Sequence, residues 1–135
     1  MRSRELAELM LRKAAQDEFV MHKLISDPEA PDEAIGFHAQ QAVEKMFKAA
    51  LALHAIRFGK VHELAHLLDL LHKNNIAFPK NFEEFDRLTP FAATLRYEDI
   101  FPISEGPIDR TWAADCVRQA RAWAESMVRE PNPQI

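Results

Sequence analysis

Apolar residues recur every three to four positions along most of the chain, which is the spacing of one buried face of an α-helix. Residues 3–25 carry such a stripe, made of Ala7, Met10, Leu11, Ala14, Met21 and Ile25. A second stripe, within residues 33–56, contains Ala39, Ala42, Val43, Met46, Phe47, Ala50 and Leu53. No stretch shows the alternation of period two that a half-buried strand requires. The pattern therefore predicts an all-α protein.

Residues that favour turns separate these stripes and set the predicted bounds of the helices. Pro28 and Pro31 break the chain after the first helix, and Asp32 is the predicted N-cap of the second. Gly59 is the predicted stop of the second helix. A third helix is predicted over residues 62–73, with Leu64, Leu67, Leu68 and Leu71 on its inward face.

The second half of the chain is predicted to hold two short helices and one long helix. Asn81 is a predicted N-cap for residues 82–88, and Thr89 is the predicted cap of a helix over residues 90–96. The last helix is predicted over residues 107–129, with a core face made of Trp112, Cys116, Val117, Ala120, Trp123, Ala124 and Met127.

Length and composition fit one helical domain. The chain has 135 residues, of which 47% are hydrophobic and 28% are charged. We expect a single domain over residues 1–130, folded as an up-and-down bundle of four to five helices. Residues 131–135 contain two prolines and are predicted to form a loose C-terminal tail.

Charge and cysteine content narrow the class of function. The net charge is −4, which argues against a broad basic surface for nucleic acid but leaves room for a small basic site. The single cysteine, Cys116, excludes an internal disulfide and fits a reducing compartment. The longest unbroken apolar run, residues 49–53, is too short to span a membrane, so we expect a cytoplasmic protein. The sequence indicates no cofactor.

Asp17 lies on the apolar stripe of the first helix and allows two interpretations. Either its carboxylate reaches water at the edge of the stripe, or it is partly buried and needs a basic partner. The first interpretation is favoured. Polar residues of the second helix are expected on its solvent-facing side, namely His38, Gln41, Glu44, Lys45 and Lys48.

The second helix contains a long specific motif. It reads Phe37-His38-Ala39-Gln40-Gln41-Ala42-Val43-Glu44-Lys45-Met46-Phe47-Lys48-Ala49, and it is followed by His62-Glu63-Leu64 and later by Leu95-Arg96-Tyr97. These stretches resemble the FHAQQAVEKxxKA, HDLxxLL and RYP elements of the HEPN family (higher eukaryotes and prokaryotes nucleotide-binding). Glu98 stands where proline is usual. The resemblance covers roughly residues 4 to 128 in the expected order.

This resemblance implies a helical bundle that forms a homodimer and binds nucleotides or RNA. Many small members are encoded beside a minimal nucleotidyltransferase, as toxin and antitoxin. Active members are metal-independent ribonucleases with an Arg-x(4–6)-His motif, in which a histidine takes the 2′-hydroxyl proton and an arginine stabilises the phosphate. Arg57 and His62 have this spacing, although the family's motif usually lies late in the domain. Arg96 is the matching late arginine, and no histidine follows it.

A second motif, His62-Glu63-Leu64-Ala65-His66, matches the H-E-x-x-H signature of zinc hydrolases. A sharp turn after the second histidine would be needed to bring His72 to the metal, but Asp69-Leu70-Leu71 favours a continuous helix. We therefore expect no resident metal.

Four functions remain open at this point. The first is a nucleotide- or RNA-binding module, or a partner of a nucleotidyltransferase, with ligand-binding residues His38, Gln41, Lys45, Arg57, His62, Arg96 and Tyr97. The second is a ribonuclease with Arg57 and His62 as catalytic residues. The third is a zinc hydrolase, and the fourth is a pure interaction protein. The sequence favours the binding module over an enzyme.

Overall fold

The computed structural model describes residues 2–92 and 108–129. Four α-helices lie wholly within these ranges: α1 at Arg2–Ile25, α2 at Asp32–Leu53, α3 at Leu64–Lys73 and α4 at Arg110–Val128. A 3₁₀ helix, η1, spans Lys80–Leu88 between α3 and α4. No strand occurs in either described range, so the predicted all-α bundle is confirmed. Residues 93–96 of the helix predicted over 90–96, residue 107 of the predicted last helix, and the predicted tail lie outside the described residues.

Helices α1 and α2 form the most extensive pair of the bundle, and α4 packs against both. They run antiparallel, because Asp17 in the middle of α1 reaches Lys45 in the middle of α2, while the first residues of α1 lie beside the end of α2. Helix α3 and η1 pack together against α2 and complete the described part of the bundle.

The predicted stripes form the core. The fully buried members are Ala7, Leu11, Ala14 and Met21 of α1, Ala39, Ala42, Val43, Met46, Phe47 and Ala50 of α2, all four leucines of the α3 stripe, and Cys116, Val117, Ala120 and Ala124 of α4. The other predicted members are partly buried against this core, namely Met10, Ile25, Leu53, Trp112, Trp123 and Met127. Removing these side chains from water supplies the main driving force for folding.

The ends of the helices differ from the predicted caps. Pro31 is the N-cap of α2, and the carboxylate of Asp32 binds Arg110 instead of a backbone amide. The 3₁₀ helix begins at Lys80 after Pro79, and Asn81 donates its side-chain amide to Gln119. Asp32 and Asn81 are therefore wrong as N-caps, because a partner on α4 takes each side chain.

Arg110 fastens the α1–α2 turn to the start of α4. Its guanidinium donates to the carbonyl oxygens of Ile25, Asp27 and Ala30 at 3.1, 2.9 and 2.8 Å. Its Nε also donates to the carboxylate of Asp32 at 3.2 Å. A planar guanidinium with several fixed donors suits such a set of acceptors, whereas a lysine could reach fewer of them.

Phe91 packs against a helix position that only glycine can occupy. A Cβ atom on Gly36 would lie 2.4 Å from the ring carbon Cδ1 of Phe91, far inside van der Waals contact. Phe91 is buried, and Phe58 and Phe78 are partly buried against the core.

Candidate functional site

Residues 54–63 connect α2 to α3 and form the α2–α3 joint. Helix α2 ends at Leu53, and Ala55 follows it with a φ of 59°. The amide of Ile56 then donates to the carbonyl of Leu51 at 2.9 Å, which is a pattern typical of a left-handed helix end. Gly59 is therefore not the residue that stops α2. It lies four residues later with a φ of 62° and turns the joint in open space.

The α2–α3 joint is a basic segment in an acidic protein. Residues 54–63 contain Arg57, Lys60 and two histidines, and one acidic residue, Glu63, at the end of the joint. Arg57 and Lys60 are exposed. Neither makes a hydrogen bond or an ion pair with any other residue in the described ranges. The joint therefore presents two cations whose donors are available to an anionic ligand.

A buried polar network on α2 lies beneath the joint. The carboxylate of Glu44 accepts from Gln40 at 2.9 Å and from Lys48 at 2.8 Å. Glu44 and Lys48 are only 4% and 6% exposed, so the expectation that both face solvent is wrong. The physical reason is that each charge has a partner, which lets the pair enter the core beside the chain that connects α2 to α3.

His62 extends this network into the joint. Its Nδ1 lies 3.1 and 3.2 Å from the two carboxylate oxygens of Glu44, and its carbonyl accepts from Gln40 at 2.9 Å. A carboxylate only accepts, so Nδ1 carries a hydrogen, and in the neutral form of the ring Nε2 is the nitrogen with the lone pair. The side chain is 56% exposed. This is the arrangement in which a carboxylate orients a histidine base.

His62 precedes α3 and is not part of it. Helix α3 begins at Leu64, whose amide donates to the hydroxyl of Thr89, and the next amide, that of Ala65, donates to Asp86. The predicted helix start at residue 62 is therefore two residues early. The true start is fixed by side chains at the end of η1, which a local pattern does not reveal.

Three of the sequence-predicted ligand residues are held by internal partners. His38 and Lys45 both bind the carboxylate of Asp17, with His38 Nδ1 at 3.0 Å. Gln41 donates to the side-chain oxygen of Gln40 at 2.7 Å. Asp17 is 13% exposed, so it is the partly buried acid with basic partners, and the favoured interpretation of an acid in water is wrong.

The structure places the predicted residues in two groups. Arg57 and His62 lie in the joint, although no hydrogen bond connects them, and His38 and Lys45 lie together around Asp17. Gln41 stands next to the buried network. Arg96 and Tyr97 lie outside the described residues. Sequence reasoning missed Gln40 and Glu44 as site residues. The available signal was the run of polar residues at positions 40, 44 and 48, which share one helix face.

The zinc motif is not assembled. Because α3 begins after His62, this histidine and His66 do not share a face of one helix. No group of three histidine, cysteine, aspartate or glutamate side chains in residues 2–92 and 108–129 could hold a metal ion.

Cys116 lies in the core of α4 and not in a site. Burial raises the pKa of its thiol from 9.0 to about 12, and the nearby charge of Asp115 acts in the same direction. A thiol with so little thiolate at neutral pH is a poor nucleophile.

Comparison with known families decides what this bundle is. The sequence model of the HEPN domain matches residues 7–130, which is nearly the whole chain. The chain belongs to the HEPN domain family. This family is of the nucleotide-binding and ribonuclease type. No curated protein and no solved structure matches the sequence. Within the described ranges, no helix of this HEPN domain is long and apolar enough to cross a membrane.

The motif that first indicated the family has two structural duties in this HEPN domain. Its apolar positions from Ala39 to Phe47 build the centre of the core. Its polar positions Gln40, Glu44 and Lys48 hold the α2–α3 joint from below. The motif residues therefore stabilise both the core of the fold and the α2–α3 joint.

Proposed function

We propose that this HEPN domain binds the phosphate of a nucleotide or of RNA at the α2–α3 joint. The observation that carries the proposal is Arg57, an exposed guanidinium with no partner in the described ranges, in a joint whose one acidic residue is Glu63 at its far end. Lys60, also exposed and without a partner in the described ranges, adds the donors of its ammonium to the same segment. Arginine binds phosphate through two parallel hydrogen bonds, and such charge-assisted bonds are among the strongest in proteins.

The net charge of −4 supports a local site over a broad surface. A few cations release few counterions from RNA, so binding should be moderate and should weaken with salt by a shallow slope. A general RNA coat would show a steep slope.

Arg57→Ala tests the proposal by fluorescence anisotropy with a labelled single-stranded RNA. We expect the affinity to fall by about 10-fold, the loss expected for one charge-assisted contact. Arg12→Ala is the matched control, because Arg12 is exposed on α1 and has no partner in the described ranges. Equal affinities of the two variants would contradict the proposal.

A second candidate function, a metal-independent ribonuclease, is favoured by the Glu44–His62 contact. His62 Nε2 would take the proton from a ribose 2′-hydroxyl, and the 2′-oxygen would then attack phosphorus. The phosphorus–5′-oxygen bond breaks, the leaving oxygen takes a proton from water, and a 2′,3′-cyclic phosphate remains. Arg57 would stabilise the charge on the phosphate.

Cleavage of labelled RNA in excess EDTA tests this candidate. Native protein should cut and His62→Ala should not, whereas His66→Ala should keep full activity, because His66 is an exposed histidine on α3 outside the network. Absence of cyclic phosphate ends, or equal cutting by both variants, would leave the domain as a binding module.

The homodimer, the nucleotidyltransferase partner, the toxin–antitoxin role and the cytoplasmic location are also part of the proposal. The first three are what the resemblance to small HEPN proteins implies, and the location rests on the single cysteine and the short apolar runs of the sequence. Phe19 is 63% exposed on α1 and offers apolar surface to a partner outside the joint. Light scattering of the purified chain tests the dimer. A monomer mass at micromolar concentration would contradict it.

A further inference from the structure

An apolar groove lies beside the α2–α3 joint. The start of α1 forms one wall, through Leu6 and Leu9, and the end of α2 with the joint forms the other, through Ile56 and Phe58. Leu6 and Leu9 are 44% and 40% exposed, although both are large apolar side chains. Arg57 also lines this groove, so the groove and the phosphate site share a residue.

The size and lining of the groove fit part of a small organic ligand. Its volume is about 750 Å³, within the range of about 300–1,000 Å³ that is typical of ligand sites. Phe58 adds aromatic surface, and the ammonium of Lys48 lies over its ring at 5.3 Å from the centroid. An aromatic ring among aliphatic side chains suits a flat heterocycle, because stacking and apolar contact both favour its transfer from water.

Two charged side chains of opposite sign, Arg57 and Glu5, line the groove and can bind the polar groups of such a ligand. Arg57 can bind an anionic group of a ligand. Glu5 is exposed and lines the same groove, and its carboxylate can accept hydrogen bonds from a ligand. Neither side chain has a partner within residues 2–92 and 108–129. A fatty acid could bind Arg57, but it has no group that donates to the Glu5 carboxylate, which would stay in water. A nucleotide satisfies both residues, through its phosphate and its base edge.

We propose that the groove binds the base of a guanine nucleotide whose phosphate is held by Arg57, with Glu5 as the residue that selects the base. The two oxygens of Glu5 match the adjacent N1–H and N2–H donors of guanine. Adenine has one donor group, its N6 amino group, beside N1. Because N1 of adenine is an acceptor, a carboxylate repels it. The inference rests on the proposed function, because it places the phosphate at Arg57.

Titration calorimetry of the full chain with GMP and with AMP tests the inference. GMP should bind at least 10-fold more tightly, since a site built to hydrogen-bond a group rejects the analogue that lacks it. Glu5→Gln should lower the affinity for GMP to that for AMP, while the affinity for AMP changes by less than about twofold. The inference would be overturned if the native chain bound GMP and AMP equally. It would also be overturned if Glu5→Gln kept the native preference for GMP.

A charge placed on the groove wall tests the location of the base. Leu6→Asp should weaken GMP binding by about 10-fold or more, because it puts an anion beside the base and the phosphate. Phe19→Asp is the control, another exposed apolar position of α1 that does not line the groove. Both positions face solvent, so both variants should keep the helical circular dichroism of the native chain.

The outcomes separate the groove from the phosphate site. If Arg57→Ala lowers GMP affinity and Leu6→Asp does not, the phosphate site stands and the groove inference is overturned. If Arg57→Ala has no effect, the proposed function fails and the groove inference fails with it. If Leu6→Asp leaves GMP binding intact but shifts the molecular mass to that of a monomer, a second copy of the chain covers the groove, and the inference is overturned.

Discussion

The Nδ1 atom of His62 lies 3.1 Å from a carboxylate oxygen of Glu44, although the two residues are 18 positions apart in the chain. The carboxylate is buried within α2 and the imidazole is half-exposed in the α2–α3 joint. The contact therefore connects the interior of the bundle to its basic segment. It fixes which nitrogen of His62 faces solvent, which matters both for binding and for proton transfer.

Glu44→Gln should destabilise the domain by about 3 kcal/mol, because it leaves the ammonium of Lys48 buried without its counter-charge. The free energy of unfolding, measured by urea denaturation, checks this value. Glu33→Gln is the control, since Glu33 is exposed on the same helix without a partner in the described ranges. A loss below about 0.5 kcal/mol for Glu44→Gln would show that the network contributes little to stability.

Arg110→Lys should lower the free energy of unfolding by about 2 kcal/mol. Lysine keeps the charge but cannot reach the three carbonyl oxygens and the carboxylate of Asp32 at once. Arg118→Lys, at an exposed arginine on the same helix with an i,i+3 partner, should change stability by less than about 0.5 kcal/mol. Similar denaturation midpoints for the two variants would contradict the role of Arg110 as the fastener of the α1–α2 turn.

Gly36 lies against a buried side chain and Gly59 lies in open space, so alanine substitutions at these two positions should destabilise the domain to different extents. Gly36→Ala should cost about 2 kcal/mol or more, because the new Cβ meets the buried ring of Phe91 at 2.4 Å. Gly59→Ala meets no atom within 4 Å, but its φ of 62° costs an alanine about 1 kcal/mol. Thermal unfolding of both variants checks the order. A smaller effect at Gly36 than at Gly59 would show that Phe91 moves aside easily.

The sequence was sufficient for the core and the family but not for the network. Ala39 and Leu67 were recognised because their burial follows from helical spacing alone. A local pattern predicts that Glu44 and Lys48 face solvent, because it treats an i,i+4 ion pair as a surface feature. The buried Glu44 also contacts His62, which belongs to a different segment of the chain. Asp17 was misjudged for the same reason, since its partners His38 and Lys45 lie on another helix.

The helix starts show the same limit on a smaller scale. Helix α3 begins at Leu64 because Thr89 accepts its first free amide from beyond η1. Such a cap, 25 residues away, is not visible in the residues before the helix. A helix cap from a residue distant in sequence can be identified only from the tertiary structure. The stripe of four leucines in α3, in contrast, follows from their spacing in the sequence.

Cys116 gives a prediction for reactivity and pH. Burial raises the pKa of its thiol to about 12, so at pH 8 the folded chain should hold roughly 10³-fold less thiolate than the unfolded chain. Reaction with Ellman's reagent should therefore be slow in buffer and fast in 6 M guanidinium.

The raised pKa of Cys116 also determines how the free energy of unfolding changes at alkaline pH. The folded thiol keeps its proton above the ordinary pKa of 9.0, while the unfolded thiol loses it, so the unfolded state binds fewer protons. The free energy of unfolding should fall as the pH rises from about 9 towards about 12. Cys116→Ala serves as the comparison, because it lacks this titration and should lose less stability over the same range. Rapid thiol modification of the folded chain, or identical alkaline profiles for the two proteins, would contradict a buried protonated thiol.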